Sequence, residues 1–232
     1  ACVGHSHLDI AYHWTAVQTV QKNARTCLIQ LRLMDRYPEF SYAHSQAWAY
    51  EVLEQYYPAL FAEVKKRIAE GRWEIVGGMY VEPDCNLPSA EALARQIMYG
   101  KRYFLEKFGV EVDNCWLPDV FGNTAILPQI LKLGGIDYFV SNKMSTWNDT
   151  TLFPHNNFIW RGLDGSDVFA CVPPTHFITW FEPDQVIESW EAFIDKDTVD
   201  ESLHMYGFGD GGSGVTEEML EHYHRLQKSP GV

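Results

Sequence analysis

The residues best equipped for chemistry come early, in Gly4-His5-Ser6-His7-Leu8-Asp9. In extended backbone alternate residues face the same side, so His7 and Asp9 share a face, as do His5 and His7. An imidazole nitrogen beside a carboxylate oxygen suits Zn²⁺ or a similar divalent ion, and a catalytic site keeps a position open for substrate. The plainer account is a solvated strand end, because short motifs recur by chance. A third account takes His5-x-His7 as the metal pair of an amidohydrolase barrel; His44 and His155 are then the further histidines available, although neither ends a clear strand in the pattern.

Three later stretches carry carboxylates. Trp116-Leu117-Pro118-Asp119-Val120-Phe121-Gly122-Asn123 puts Asp119 just past an apolar run and ahead of an expected helix. The positive amino end of that helix would favour the ionised carboxylate. Such a group can ligate a metal, act as a nucleophile, or do both, and carboxylate nucleophiles are the usual device of retaining glycosidases. Capping the helix is the competing reading. Gly207-Phe208-Gly209-Asp210-Gly211-Gly212 surrounds Asp210 with glycines, which permits close backbone approach to a ligand or simply a tight turn. It lacks the Gly-Lys-Ser/Thr ending of a phosphate-binding loop. In Val81-Glu82-Pro83-Asp84-Cys85-Asn86, Glu82 reads as a salt-bridged loop residue and Asp84 as the more open group. His13, Trp14, Trp147 and Trp180 offer faces on which a sugar could stack, though single tryptophans more often pack.

The elements that must position these groups alternate short apolar runs with long amphipathic stretches, the pattern of strand-helix-strand units around a mostly parallel sheet. Strands are expected at Cys2-Val3, Phe40-Ala43, Trp73-Met79, Cys115-Pro118, Tyr138-Ser141, Asp167-Cys171 and Leu203-Gly207. Helices are expected from about Ala16 to Tyr37, from Trp48 to Glu70, from Ser89 to Phe108, and from Asn123 or Thr124 to Gly134. In the first of these, Val17, Val20, Ala24, Leu28, Leu31 and Met34 form the apolar stripe. Every candidate carboxylate falls after an apolar run, and parallel sheets gather their chemistry at strand carboxyl ends.

The 232 residues, 46% hydrophobic and 21% charged, can bury a sizeable core in one α/β domain. The first residue is Ala and the chain closes on a loop-like Ser229-Pro230-Gly231 tail, so the sequence is expected to be a piece of a longer chain. With 18 basic and 31 acidic residues the net charge is -13, which repels phosphate backbones and anionic lipid; neither nucleic acid nor membrane is an expected partner. No apolar run is long enough to cross a bilayer. The 5 cysteines form no C-x-x-C pair and no disulfide framework, which favours a reducing, cytoplasmic compartment.

In combination and in this order, the motifs resemble glycoside hydrolase family 38, in the manner of its cytosolic and bacterial branch. GHSHLD (4–9), GGMYVEPDCNLP (77–88), YGKRYF (99–104), WLPDVFGN (116–123), GGIDYFVSNK (134–143), FPHNNFIWRGLDGS (153–166) and GDGGSG (209–214) carry the resemblance along essentially the whole chain. It implies an α/β domain built as a parallel-stranded, seven-stranded β/α barrel-like body. Helical-bundle and β-sandwich domains would follow it in full-length members. The implied activity is that of a retaining, exo-acting α-mannosidase acting on an α-mannoside oligosaccharide or glycoside. The working ion would be Zn²⁺, with Co²⁺ or another divalent ion as the alternative, and full-length members would be homo-oligomers.

By the same resemblance His7, Asp9 and Asp119 hold the metal, Asp119 is also the nucleophile, and Asp210 is the candidate acid/base. Tyr12, Phe121, Lys143 and Asp84 are expected at the substrate, and His5 beside the ligands rather than among them. Two departures stand out. Tyr12 occupies the place of a tryptophan in many members, and Gly209-Asp210-Gly211-Gly212 replaces two adjacent aspartates. The family's fourth ligand, a histidine in a His-His-Asp segment further along, has no counterpart here, so residues 1–232 alone are expected to form an incomplete metal site with little activity. A metal-dependent amidohydrolase or carbohydrate deacetylase on a similar barrel is the alternative.

Overall fold

The computed structural model describes residues 1–150 and 153–229; the rest of the expected tail, Pro230 and Gly231, lies outside the described residues. The chain opens with β1 (Cys2–Gly4), α1 (Ala16–Arg36), β2 (Tyr42–His44), α2 (Ala47–Tyr56), α3 (Pro58–Ala69) and β3 (Trp73–Ile75). It continues with α4 (Ala90–Phe108), β4 (Asn114–Leu117), α5 (Leu127–Leu133), β5 (Tyr138–Ser141) and α6 (Lys143–Thr146). It closes with β6 (Asn157–Arg161), β7 (Asp167–Cys171), α7 (Pro183–Ala192), β8 (His204–Tyr206) and α8 (Glu217–Leu226).

The strands form three small sheets: β1 with β8, β2 with β3, and β4-β5-β7-β6. All ladders are parallel except β6 against β7. A parallel bridge between His5 and Ala43 joins the first sheet to the second. Gly77 N–H donates to Asn114 Oδ1 at 2.7 Å and Gly78 N–H to the Asn114 carbonyl at 2.9 Å, tying the second sheet to the third. The result is a mixed α/β body, and the described residues give no continuous seven-stranded ladder.

Two large apolar clusters lie between helices and strands. One includes Cys27, Leu31 and Met34 of α1 with Trp73 and Phe104, and the other includes Leu93 and Ile97 of α4 with Leu117 and Phe139. A third, small cluster gathers Val3, Ala43, Val76, Trp116, Val140 and Met205 from strands or their ends, with Leu203 and, from the loop after β7, Phe177 and Ile178.

α4 follows its sequence signals closely. Ser89 Oγ accepts the Ala92 N–H at 3.3 Å, Gly109 closes the helix at φ 70°, and Leu93, Ile97, Gly100 and Phe104 face inward. A Cβ on Gly100 would lie 2.3 Å from the Gly78 carbonyl oxygen, so the glycine lets the loop after β3 lie directly on the helix. Elsewhere the elements differ from expectation. The long second helix is two, because Pro58 cannot donate to the preceding turn and instead begins α3. α6, β6, α7 and α8 have no counterpart among the expected elements. The α1 stripe is only partly inward: Ala24, Leu31 and Met34 are buried, while Val17 and Leu28 are 75% and 46% exposed. The buried face is instead half polar: Thr19, Thr26 and Gln30 bond to loop backbone at the site, and Asn23 donates to the Ala49 carbonyl in α2.

Candidate active site

Three strand ends supply the groups. Beyond β1 the chain runs through His7 and Asp9, Asp119 follows β4, and Asp210 follows β8. Backbone contacts lock the first end to the third: Asp9 N–H donates to the Asp210 carbonyl at 2.8 Å, and Leu8 bridges Gly211. Asp210 sits in the left-handed region at φ 53°, which an aspartate tolerates better than most residues. Helix α1 grips its loop through Gln30 Nε2, which donates to the Ser213 carbonyl at 2.6 Å, and through Arg25, which donates to the Gly211 carbonyl at 2.9 Å.

One ligand atom from each of His7, Asp9, Asp119 and Asp210 lies within 4.8 Å of the others. His7 Nε2 is 3.3 Å from Asp9 Oδ1 and 3.2 Å from Asp119 Oδ2. On the ring's other side, His7 Nδ1 is 2.9 Å from Glu82 Oε2, while Glu82 Oε1 accepts the Asp119 N–H at 2.9 Å. Lys143 forms an ion pair with Asp119. Its ammonium also lies 5.2 Å from the Phe121 ring centroid, 4.9 Å from that of Trp147 and 5.5 Å from that of Phe177.

Burial disfavours charge on His7, but Glu82, Asp119 and Asp9 outweigh it and hold the ring proton well above the usual histidine range. Burial likewise opposes ionisation of Asp119, and His7 and Lys143 outweigh it to keep the carboxyl below the usual carboxylate range. The positive amino end expected of a following helix is not the cause: α5 begins only at Leu127 and has 7 residues. Side-chain cations do that work.

The residues fit a divalent ion. His7 Nε2 and Asp119 Oδ1 are buried without an aligned hydrogen bond, although each faces an opposite charge. Such orphaned atoms are costly unless a partner is supplied. One imidazole nitrogen with carboxylate oxygens is a donor set for zinc and similar ions. Asp210 brings a further carboxylate oxygen into the same cluster.

These groups border a cavity of about 870 Å³, which Tyr12, Asp84, Phe121, Lys143 and Trp147 also line. Tyr12 and Phe121 are 61% and 78% exposed at its edge. Asp84 Oδ1 is committed to its own loop, accepting the Asn86 and Leu87 N–H groups at 2.7 and 2.8 Å. His13, Trp14 and Trp180 lie outside the lining. His5 is also outside the ligand cluster, its Nε2–H donating to the Phe177 carbonyl at 2.7 Å.

His44 does end a strand, β2, but it is buried between Tyr42 and Asn23 away from the cavity. His155 pairs with Asp195. Gln46, His176 and Phe177 are cavity residues that the sequence pattern does not single out; Glu82 is a salt-bridged loop residue as expected, but its side chain is 7% exposed and its partner is His7 at the site. Nothing local marks them, because their roles depend on which strand ends meet.

The family described as glycosyl hydrolases family 38, N-terminal domain, matches residues 1–232. The chain is 41% identical over 230 residues to alpha-mannosidase 2C1 of Homo sapiens, covering 99% of this chain and 22% of that protein. It is 39% identical over 231 residues to alpha-mannosidase G of Dictyostelium discoideum, with 99% and 21% covered. The chain thus spans about a fifth of the length of the curated relatives it matches. Among solved structures, an alpha-mannosidase from Enterococcus faecalis superposes with a TM-score of 0.81 at 20% identity, over 97% of this chain and 26% of that one. That likeness establishes a shared fold.

Proposed function

The chain belongs to glycosyl hydrolase family 38, and from that premise we propose that it carries the catalytic site of a retaining, exo-acting α-mannosidase. The observation that carries this reading is the meeting of His7, Asp9, Asp119 and Asp210 at one end of the cavity, from three strand ends far apart in sequence. An ion held by His7, Asp9 and Asp119 would supply Lewis acidity toward vicinal sugar hydroxyls and a template for the ring. Zinc is the ion proposed, on the nitrogen and oxygen donors.

Asp119 attacks the anomeric carbon as the glycosidic bond breaks, and Asp210 gives its proton to the departing oxygen. Asp210 then takes a proton from water, which attacks the same carbon and releases Asp119. Lys143 and His7 keep Asp119 ionised and ready. The closeness of Asp119 and Asp210, one oxygen of each lying within 4.8 Å of the other, is compatible with the short carboxyl spacing of about 5 to 5.5 Å that a retaining enzyme uses. Phe121, Tyr12 and Trp147 give the sugar apolar faces at the cavity mouth, and Asp84 borders the same space.

A barrel-like closure of seven strands is part of the reading. The cluster in which Val3, Ala43, Trp116, Val140 and Met205 of five strands meet around the loop residue Phe177 supports it, because side chains that meet inside a ring of strands fill a barrel. A cytoplasmic setting rests on cysteines that are all free.

A deacetylase or amidohydrolase would use the ion to activate water and would form no sugar adduct. The test is mass spectrometry of the full-length protein after exposure to a fluorinated mannosyl trap. An adduct on Asp119, lost in Asp119→Asn, is expected. An adduct on another residue refutes the nucleophile assignment, and no adduct from zinc-loaded protein refutes the covalent mechanism.

A further inference from the structure

We propose that Glu82 is a positioning residue that orients His7 and Asp119 together for a divalent ion; the inference rests on the reading of His7, Asp9 and Asp119 as the ion-holding set. Glu82 is 7% exposed, and among the described residues no lysine or arginine pairs with it. A carboxylate so placed is costly unless its oxygens are used. Both are directed at the site: Oε1 accepts the backbone N–H of Asp119, and Oε2 faces His7 Nδ1, each at 2.9 Å. One side chain therefore touches two members of the set, which sit on different strand ends.

The ring's geometry gives the contact its purpose. With Nε2 as the ligating atom, the single imidazole proton sits on Nδ1, and Glu82 Oε2 is the acceptor facing it. Here the Nδ1–Oε2 contact has the distance of an ion pair without the alignment of a hydrogen bond, so a small rotation of ring or carboxylate completes it.

The backbone beneath is held as well. Glu82 N–H donates to Gln46 Oε1 at 3.1 Å, and Gln46 Nε2 donates to the Leu8 carbonyl at 2.8 Å. Gln46 sits at φ 68°, a conformation that costs a non-glycine residue and persists where surroundings enforce it. Leu8, Gln46, Glu82 and Asp119 thereby link the ends of β1, β2, β3 and β4 into one frame around His7.

Glu82→Gln keeps the shape but has one acceptor oxygen. If that oxygen stays with the Asp119 N–H, an NH₂ group meets the Nδ1–H. The full-length protein and this variant are compared for Zn²⁺ affinity by competition with a chromogenic chelator, for the visible spectrum of Co²⁺ in the site, and for metal-free unfolding in urea. Expected are Zn²⁺ binding weakened about 10- to 100-fold, shifted Co²⁺ bands, and metal-free unfolding near that of the unaltered chain.

Affinity within about threefold of the unaltered chain overturns the proposal, as does a loss of stability with unchanged affinity of the folded protein. If Glu82→Gln does not fold, Glu82→Asp carries the test, with the same expected loss because its shorter arm cannot reach both partners. Failure of the unaltered chain to bind Zn²⁺ or Co²⁺ refutes the metal reading itself and this inference with it; binding by the unaltered chain alone separates the two.

Discussion

Gly207 is the residue whose change most directly tests how fold and site are coupled. It follows β8 at φ 129°, and a Cβ there would lie 2.1 Å from the carbonyl oxygen of His5. Gly207→Ala therefore forces that carbonyl back by about 1 Å to reach ordinary contact. The His5 N–H bond to the Tyr206 carbonyl, now 3.0 Å, would then exceed bonding range. Losing it costs about 1 kcal/mol. An alanine held at this φ adds about 1 to 3 kcal/mol.

The expected loss in urea unfolding is thus about 2 to 4 kcal/mol. Because His5 leads straight to His7, the same displacement moves a ligand relative to Asp119. Misplacement on that scale costs on the order of 100-fold in turnover of an aryl α-mannoside. Urea titration and steady-state kinetics of the full-length protein give the two numbers. A loss below about 0.5 kcal/mol with turnover unchanged would refute the claim that close backbone contact between β1 and β8 sets the position of His7.

Two further outcomes are expected. Burial holds His44 and His204 at about 4, below the usual 6.5; the unfolded chain then binds protons that the folded chain does not, so stability is lost as pH falls from about 6.5 to 4, by about 3 kcal/mol for each. Urea midpoints across that range that stay level would contradict the neutral burial of these rings. Gln30→Leu removes the donor to the Ser213 and Val215 carbonyls at 2.6 and 3.1 Å; it should destabilise by about 1 to 3 kcal/mol and raise hydrogen exchange in the Asp210 loop, and unaltered exchange there would show that α1 does not hold that loop.

Much of the site was legible in the chain itself. Alternation in extended backbone places His7 and Asp9 on one face without reference to any other element. Apolar runs ending in polar residues point to Asp119 and Asp210 as strand-end groups, and Ser89 marks a helix start by its own backbone chemistry. These are local properties, fixed by residue type and spacing. The α1 stripe failed for a non-local reason: Thr19 and Gln30 are buried because loops distant in sequence bring carbonyls to them.

The same distinction separates the two carboxylates of the Val81–Asn86 loop. Both are short polar interruptions in sequence, and Asp84, the more open of the two in the sequence, spends an oxygen on its own turn. Glu82 reaches His7 and Asp119 only because the segments after β1, β3 and β4 converge, with β2 standing between β1 and β3. Sequence by itself determined which groups could hold an ion or attack a sugar, since that is a matter of functional-group chemistry and local backbone period. Which of them meet, which cation keeps Asp119 charged and which buried carboxylate steadies them was decided by tertiary structure, because distances between residues far apart in the chain are set by packing of the whole body.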